Sequence, residues 1–178
     1  MGHFYFVRHG ESLWNVENKI CGKTDIDLTE KGYRQAEEAA KRFIEQGLHA
    51  DIILSSPLKR ALHTAETISA ITGIPLKTDP RLIEQDFGKY EGTARNGEEF
   101  RIAKTHFLER YENGESMFQT AHRIYTVLDE ITADPDHVVL IAAHNGLARI
   151  IQSYFNEMTN EEFASFGIAN CEIRRFDF

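Results

Sequence analysis

Three short apolar runs constrain this chain more than any other feature. Phe4-Tyr5-Phe6-Val7, Asp51-Ile52-Ile53-Leu54 and Val138-Val139-Leu140-Ile141-Ala142-Ala143 are continuous rather than alternating. A strand with one wet face alternates polar with apolar residues, whereas a strand covered on both faces does not. The runs therefore predict strands of a parallel sheet held between helices. Helical patterns fill the intervals. Thr29 predicts an N-cap, after which Tyr33, Ala36, Ala40, Phe43 and Ile44 recur at helical spacing until Gly47. Ser56-Pro57 predicts an N-cap and N1 proline opening a helix through Ile71. Ala121, Ile124, Tyr125, Leu128 and Ile131 predict a helix over 118–131, and Leu147, Ile150, Ile151 and Tyr154 another after Asn145-Gly146. Segment 95–112 is expected to be a polar helix, and the alternating run Glu172 to Phe178 an antiparallel edge strand. The expectation is an α/β fold: a three-layer sandwich with a mostly parallel central sheet and helices on both faces.

Nothing in the 178 residues marks a second domain, since there is no repeat, low-complexity tract or Pro/Gly/Ser-rich linker, so one domain over 1–178 is expected. The net charge of −8 argues against a nucleic-acid or anionic-membrane partner, both of which attract Lys and Arg. An anionic ligand would have to meet a local cluster of positive charge. Cys21 and Cys171 are two isolated thiols in no C-x-x-C pair, which suits a reducing compartment. The N-terminal residues lack a basic and then apolar leader, and no apolar run approaches the roughly 18 residues of a spanning helix, so a cytoplasmic location is expected. No face is marked as an oligomer interface.

In open α/β sheets ligands sit beyond the carboxyl ends of the strands. Here the first run leads into Arg8-His9-Gly10. The second leads into Ser55-Ser56-Pro57 with Arg60 just beyond, and the third into His144-Asn145-Gly146. Each piece alone is ordinary surface polarity, a solvated charge or a histidine bonded to a carbonyl. Together they bring cationic and imidazole groups, with helix N-termini, to one edge, which suits a phosphoryl dianion. A carboxylate for proton transfer would come from the glycine-punctuated segment Leu82 to Gly92, where Glu84, Asp86 and Glu91 are equivalent by sequence alone. A metal hydrolase is disfavoured. Among 8 histidines there is no H-E-x-x-H, and His63 with Glu66 lacks a third ligand.

The same residues carry a resemblance. Val7-Arg8-His9-Gly10-Glu11-Ser12 with Trp14-Asn15, then Leu28-Thr29-x-x-Gly32-x-x-Gln35-Ala36 and Ser55-Ser56-Pro57-x-x-Arg60-Ala61-x-x-Thr64-Ala65, resemble the histidine phosphatase superfamily, whose fold is phosphoglycerate mutase-like. Leu82-x-Glu84-x-x-x-Gly88-x-x-Glu91-Gly92, Gly114-Glu115-Ser116, Ala143-His144 and Asn170 continue the match in order. The resemblance implies that His9 is the nucleophile that accepts the phosphoryl group and that Glu84 is the general acid and then base. Arg8, Arg60 and His144 would grip the phosphoryl oxygens, with Asn15, Gly22 and Asn145 completing the binding set. No metal or cofactor is implied, because guanidiniums supply the positive charge.

Within that family the chain resembles the phosphatases more than the cofactor-dependent mutases. Those mutases are longer and carry Arg and Tyr after the acidic-loop Glu, where this chain has Gln85-Asp86-Phe87. The expected activity is hydrolysis of a small phosphomonoester through phosphohistidine. The alternatives are a phosphoglycerate mutase or a non-catalytic phospho-ligand-binding module. Specificity is expected in a variable cap at 93–116, with Glu98, Arg101, Lys104 and Glu115-Ser116 as candidate contacts. Two departures stand out: Asn145-Gly146 where relatives have Gly-Gly or Gly-Asn, and Cys21 where many have a small hydroxyl residue.

Overall fold

The computed structural model describes residues 2–178. Five strands form one sheet in the order β3-β2-β4-β1-β5. The three apolar runs supply β1 (His3–Arg8), β2 (Ile52–Ser55) and β4 (Val139–Ala143), joined by a short β3 (Leu76–Thr78). These four are parallel, and β5 (Ile173–Asp177) pairs antiparallel with β1 at the edge. The continuous runs are explained by the packing. Phe4 and Phe6 of β1, with Val139, Ile141 and Ala143 of β4, face one core. Tyr5 and Val7, with Leu140 and Ala142, face the other. Helices α5 (Met117–Thr132) and α6 (Asn145–Phe155) cover the first face, and α2 (Glu30–Glu45) and α3 (Lys59–Thr72) cover the second. The mixed sheet and its two helical layers are as the sequence predicts.

Several boundaries differ from expectation. Thr29 caps α2 as predicted, its Oγ1 accepting from Gly32 N–H at 3.0 Å. Helix α3, however, does not begin at Ser56-Pro57. Its first residue is Lys59, whose N–H donates to Asp25 Oδ1 at 2.7 Å, so a carboxylate from a distant loop caps it. Ser56 Oγ accepts from Leu58 N–H at 3.3 Å, ahead of the helix, and also meets the His144 ring at 2.8 Å. Segment 95–112 is helical only over α4 (Glu98–Ala103), because its polar pattern gives a longer helix nothing to bury. Two short helices escaped the sequence reading: α1 (Leu13–Val16) and α7 (Asn160–Ser165), the latter closed by a Thr159–Glu162 capping box.

The register aligns the strand ends. Arg8 pairs with Ala143, and Ser55 with Ala142 and Thr78. The residues following β1, β2 and β4 therefore emerge side by side at one edge of the sheet.

Candidate active site

His9 leaves β1 with its ring fixed by its own backbone. Nδ1 lies 2.7 Å from the Gly10 carbonyl oxygen. A carbonyl only accepts, so Nδ1 carries the ring proton and the neutral imidazole keeps its lone pair on Nε2. Burial, then the charges of Arg60 and Arg8, hold His9 well below the ordinary histidine range, which keeps the ring unprotonated. Its carbonyl accepts from Asn170 Nδ2 at 2.8 Å, tying the motif to the far end of the chain.

His144 follows β4 with its ring centroid 5.3 Å from that of His9. Its Nδ1 is buried and without a partner, and burial followed by Arg60 and His9 lowers its pKa well below ordinary. Arg60 is completely buried. Its guanidinium donates to the carbonyls of Gly22 at 2.6 Å and Thr24 at 2.9 Å, and Nε has no partner. Arg8 donates to the Ile168 carbonyl at 2.7 Å. Burial is the main reason its pKa falls to about 10, with Arg95 next.

The structure separates the three acidic-loop carboxylates that were equivalent by sequence. Glu91 is a loop anchor: it accepts from the N–H groups of Gly22 (3.0 Å), Lys23 (3.1 Å) and Phe87 (3.1 Å) and from the Thr24 hydroxyl (2.7 Å). Asp86 is paired with Lys23 at 2.6 Å and accepts from Gly88 N–H. Glu84 alone faces the pocket, accepting from Gln85 N–H at 3.0 Å and Gly146 N–H at 2.9 Å. The Asn145-Gly146 order has a local reason. A Cβ at 146 would run into the Glu84 carboxylate, while Asn145 Oδ1 accepts from Ile168 N–H at 2.9 Å.

These groups surround a pocket of about 150 Å³. Its walls include Arg8, His9, Asn15, Glu84, Asn145 and Gly146, with Cys21 at the rim. Asn15 Oδ1 is occupied by Ser12 N–H at 3.0 Å. Arg60 and His144 lie beneath the wall rather than in it, and the Gly22 amide is committed to Glu91. Of the expected cap contacts, only Lys104 lines the pocket. Glu98 and Arg101 are exposed, Glu115 is paired with Arg123 at 3.0 Å, and Ser116 caps α5. Sequence reasoning missed two more cations in the wall, Arg95 and Arg149. Arg149 carried one usable signal: on α6 it stands three residues after Gly146, on the same helix face. Cys21 and Cys171 are free thiols whose pKa values burial pushes up to about 11 and about 12.

The family model for the histidine phosphatase superfamily (branch 1) matches residues 4–178. The chain belongs to the histidine phosphatase superfamily. It is 33% identical to the "Probable phosphoglycerate mutase GpmB" of Erwinia tasmaniensis, over 97% of this chain and 83% of that protein. A mycobacterial glucosyl-3-phosphoglycerate phosphatase superposes with a TM-score of 0.83 at 25% identity, covering 98% of this chain and 89% of that one. A putative α-ribazole-5′-P phosphatase from Escherichia coli, at 21% identity and a TM-score of 0.83, shares the fold. Among the described residues no helix is long and apolar enough to cross a membrane.

Proposed function

We propose that this protein is a metal-independent phosphomonoesterase that hydrolyses a small phosphorylated metabolite through a phosphohistidine intermediate. The observation that carries this reading is the His9 ring, held neutral and locked through Nδ1 so that Nε2 is free. Nε2 attacks phosphorus and the ester P–O bond breaks, with the leaving oxygen taking a proton from the Glu84 carboxyl group. Glu84, now a carboxylate, takes a proton from water. That water attacks phosphorus, the P–N bond breaks, and inorganic phosphate leaves. Charge on the transferring oxygens meets Arg8 and Asn15, with Arg60 and His144 behind them. These guanidiniums supply the positive charge that a metal ion would otherwise bring.

Hydrolysis is favoured over mutase chemistry by Gln85-Asp86-Phe87. Gln85 is buried and Asp86 is turned to Lys23, so neither presents a cation or phenol to the pocket after Glu84. The test is phosphate release from a panel of small phosphomonoesters in EDTA, comparing wild type with His9→Ala. Turnover by wild type alone is expected. Loss of wild-type activity in EDTA, restored by a divalent ion, would overturn metal independence. Interconversion of phosphoglycerates faster than hydrolysis would establish the mutase.

A further inference from the structure

A second and larger cavity lies away from His9. It is a groove of about 700 Å³ formed by the start of α5, the end of α6 and the chain leading into α7, with Phe107 of the cap in its wall. Met117 is the one residue that lines both this groove and the catalytic pocket, so the two are separate sites. The volume falls within the roughly 300–1,000 Å³ of small-ligand sites.

Six aromatic rings line the groove: Phe107, Phe118, Tyr125, Tyr154, Phe155 and Phe163. The thioethers of Met117 and Met158 add soft, adaptable surface. Although the chain has 20 lysines and arginines, none is in this lining. Its one carboxylate, Glu157, is exposed and forms no ion pair among the described residues. An anion would therefore meet no counter-charge here, and an uncharged apolar ligand would leave Glu157 unmatched.

The rings favour the same sign of charge, because an aromatic face is negative and attracts cations. Tyr125 and Tyr154 meet edge to face with centroids 5.0 Å apart. The Tyr154 hydroxyl donates to Asp129 Oδ1 at 2.6 Å, and a carboxylate acceptor makes the phenol ring richer in electrons. Phe163 is already met by the Arg149 guanidinium, 6.0 Å from its centroid, and Arg149 lines the catalytic pocket. The tyrosine pair is the seat left for a new charge.

We infer that this groove is a binding site for a small organic cation, an amine or quaternary ammonium on an apolar or aromatic body. The body lies on the rings and methionines, and the charge meets Glu157 and the tyrosine faces. The inference is independent of the chemistry at His9.

The test is NMR titration of the protein carrying ¹³C-methyl methionine, at pH 8, where the exposed His122 in the lining is neutral. The ligands are benzyltrimethylammonium, benzyl alcohol and benzenesulfonate, which share a ring and differ in charge. The Met158 methyl reports the groove alone, since Met158 does not line the catalytic pocket. Benzyltrimethylammonium is expected to shift it and to bind about tenfold tighter than benzyl alcohol, with benzenesulfonate weaker still. Glu157→Gln, on an exposed side chain, should weaken the cation about threefold and leave benzyl alcohol unchanged. Benzyl alcohol or benzenesulfonate binding as tightly as the cation would overturn the inference. So would no shift at Met158, or a Glu157→Gln variant that binds the cation as wild type does. Sedimentation is expected to show that the groove is not covered by a second copy of the chain. A dimer that Phe118→Ser dissociates would give the groove to that second copy, and the cation site would fall; Phe118 is 60% exposed, so the substitution spares the core.

Discussion

At the scale of single residues, Gly146 controls where Glu84 can be. Its N–H holds Glu84 Oε2 at 2.9 Å, and the missing side chain leaves the carboxylate room to lie against the helix start. Gly146→Ala forces one of the two to move. Because a displacement of about 1 Å at a reacting group can cost about 10²-fold, kcat should fall by about that factor. The crowded site should also lose about 1–3 kcal/mol of stability, read as a lower Tm. A rate within about twofold of wild type would separate the chemistry from the position of Glu84. The same residue accounts for the Asn145-Gly146 order: glycine is needed at 146 for close approach, and asparagine at 145 spans to the Ile168 backbone.

At the scale of elements, what was legible in the sequence is what local chemistry dictates. The runs of β1 and β4 had to be covered on both faces, and the Arg8, His9 and His144 positions follow from where those strands end. Glu84 was legible through the resemblance, since sequence alone could not tell it from Asp86 or Glu91 before the loop folded. The cap was not legible. Its charges are mixed in sign, and only three-dimensional packing brings half-buried Lys104 and exposed Arg95 to the pocket wall while Glu98 and Arg101 stay out of it. Ser116 shows the same limit. As a polar residue in the cap it stood as a substrate contact, yet its Oγ accepts from Gln119 N–H at 3.2 Å while Gln119 Oε1 accepts from Ser116 N–H at 3.0 Å. It belongs to the start of α5. Ser116→Ala should therefore cost about 1 kcal/mol, and roughly 2–4 °C in Tm for a chain of this size, with KM unaltered. A large rise in KM without a fall in Tm would return Ser116 to the substrate.

At the scale of the whole molecule, the site is held against the stability of the fold. A chain of net charge −8 gathers Arg8, Arg95, Lys104 and Arg149 in one pocket wall with Glu84 as the one carboxylate among them, and buries two neutral imidazoles alongside. Arrangements of this kind give up native stability to hold groups ready for a ligand. The histidines make the cost measurable through pH. His9 and His144 have native pKa values well below ordinary, whereas in the unfolded chain each titrates near 6.5. Below about pH 6.5 the unfolded state binds protons that the native state refuses. Unfolding free energy therefore falls as pH drops, by about 1.4 kcal/mol per unit for each ring, and neither ring contributes a slope above about pH 7. His144→Gln removes one ring's share and leaves the carboxylates common to both proteins. Urea melts from pH 7.5 to pH 5 should show the variant less steeply destabilised by acid, its stability relative to wild type improving by about 1.4 kcal/mol per unit once below about pH 6. Parallel slopes for the two proteins would mean that His144 takes up its proton in the native state. Burial and the charge of Arg60 would then not be keeping it neutral.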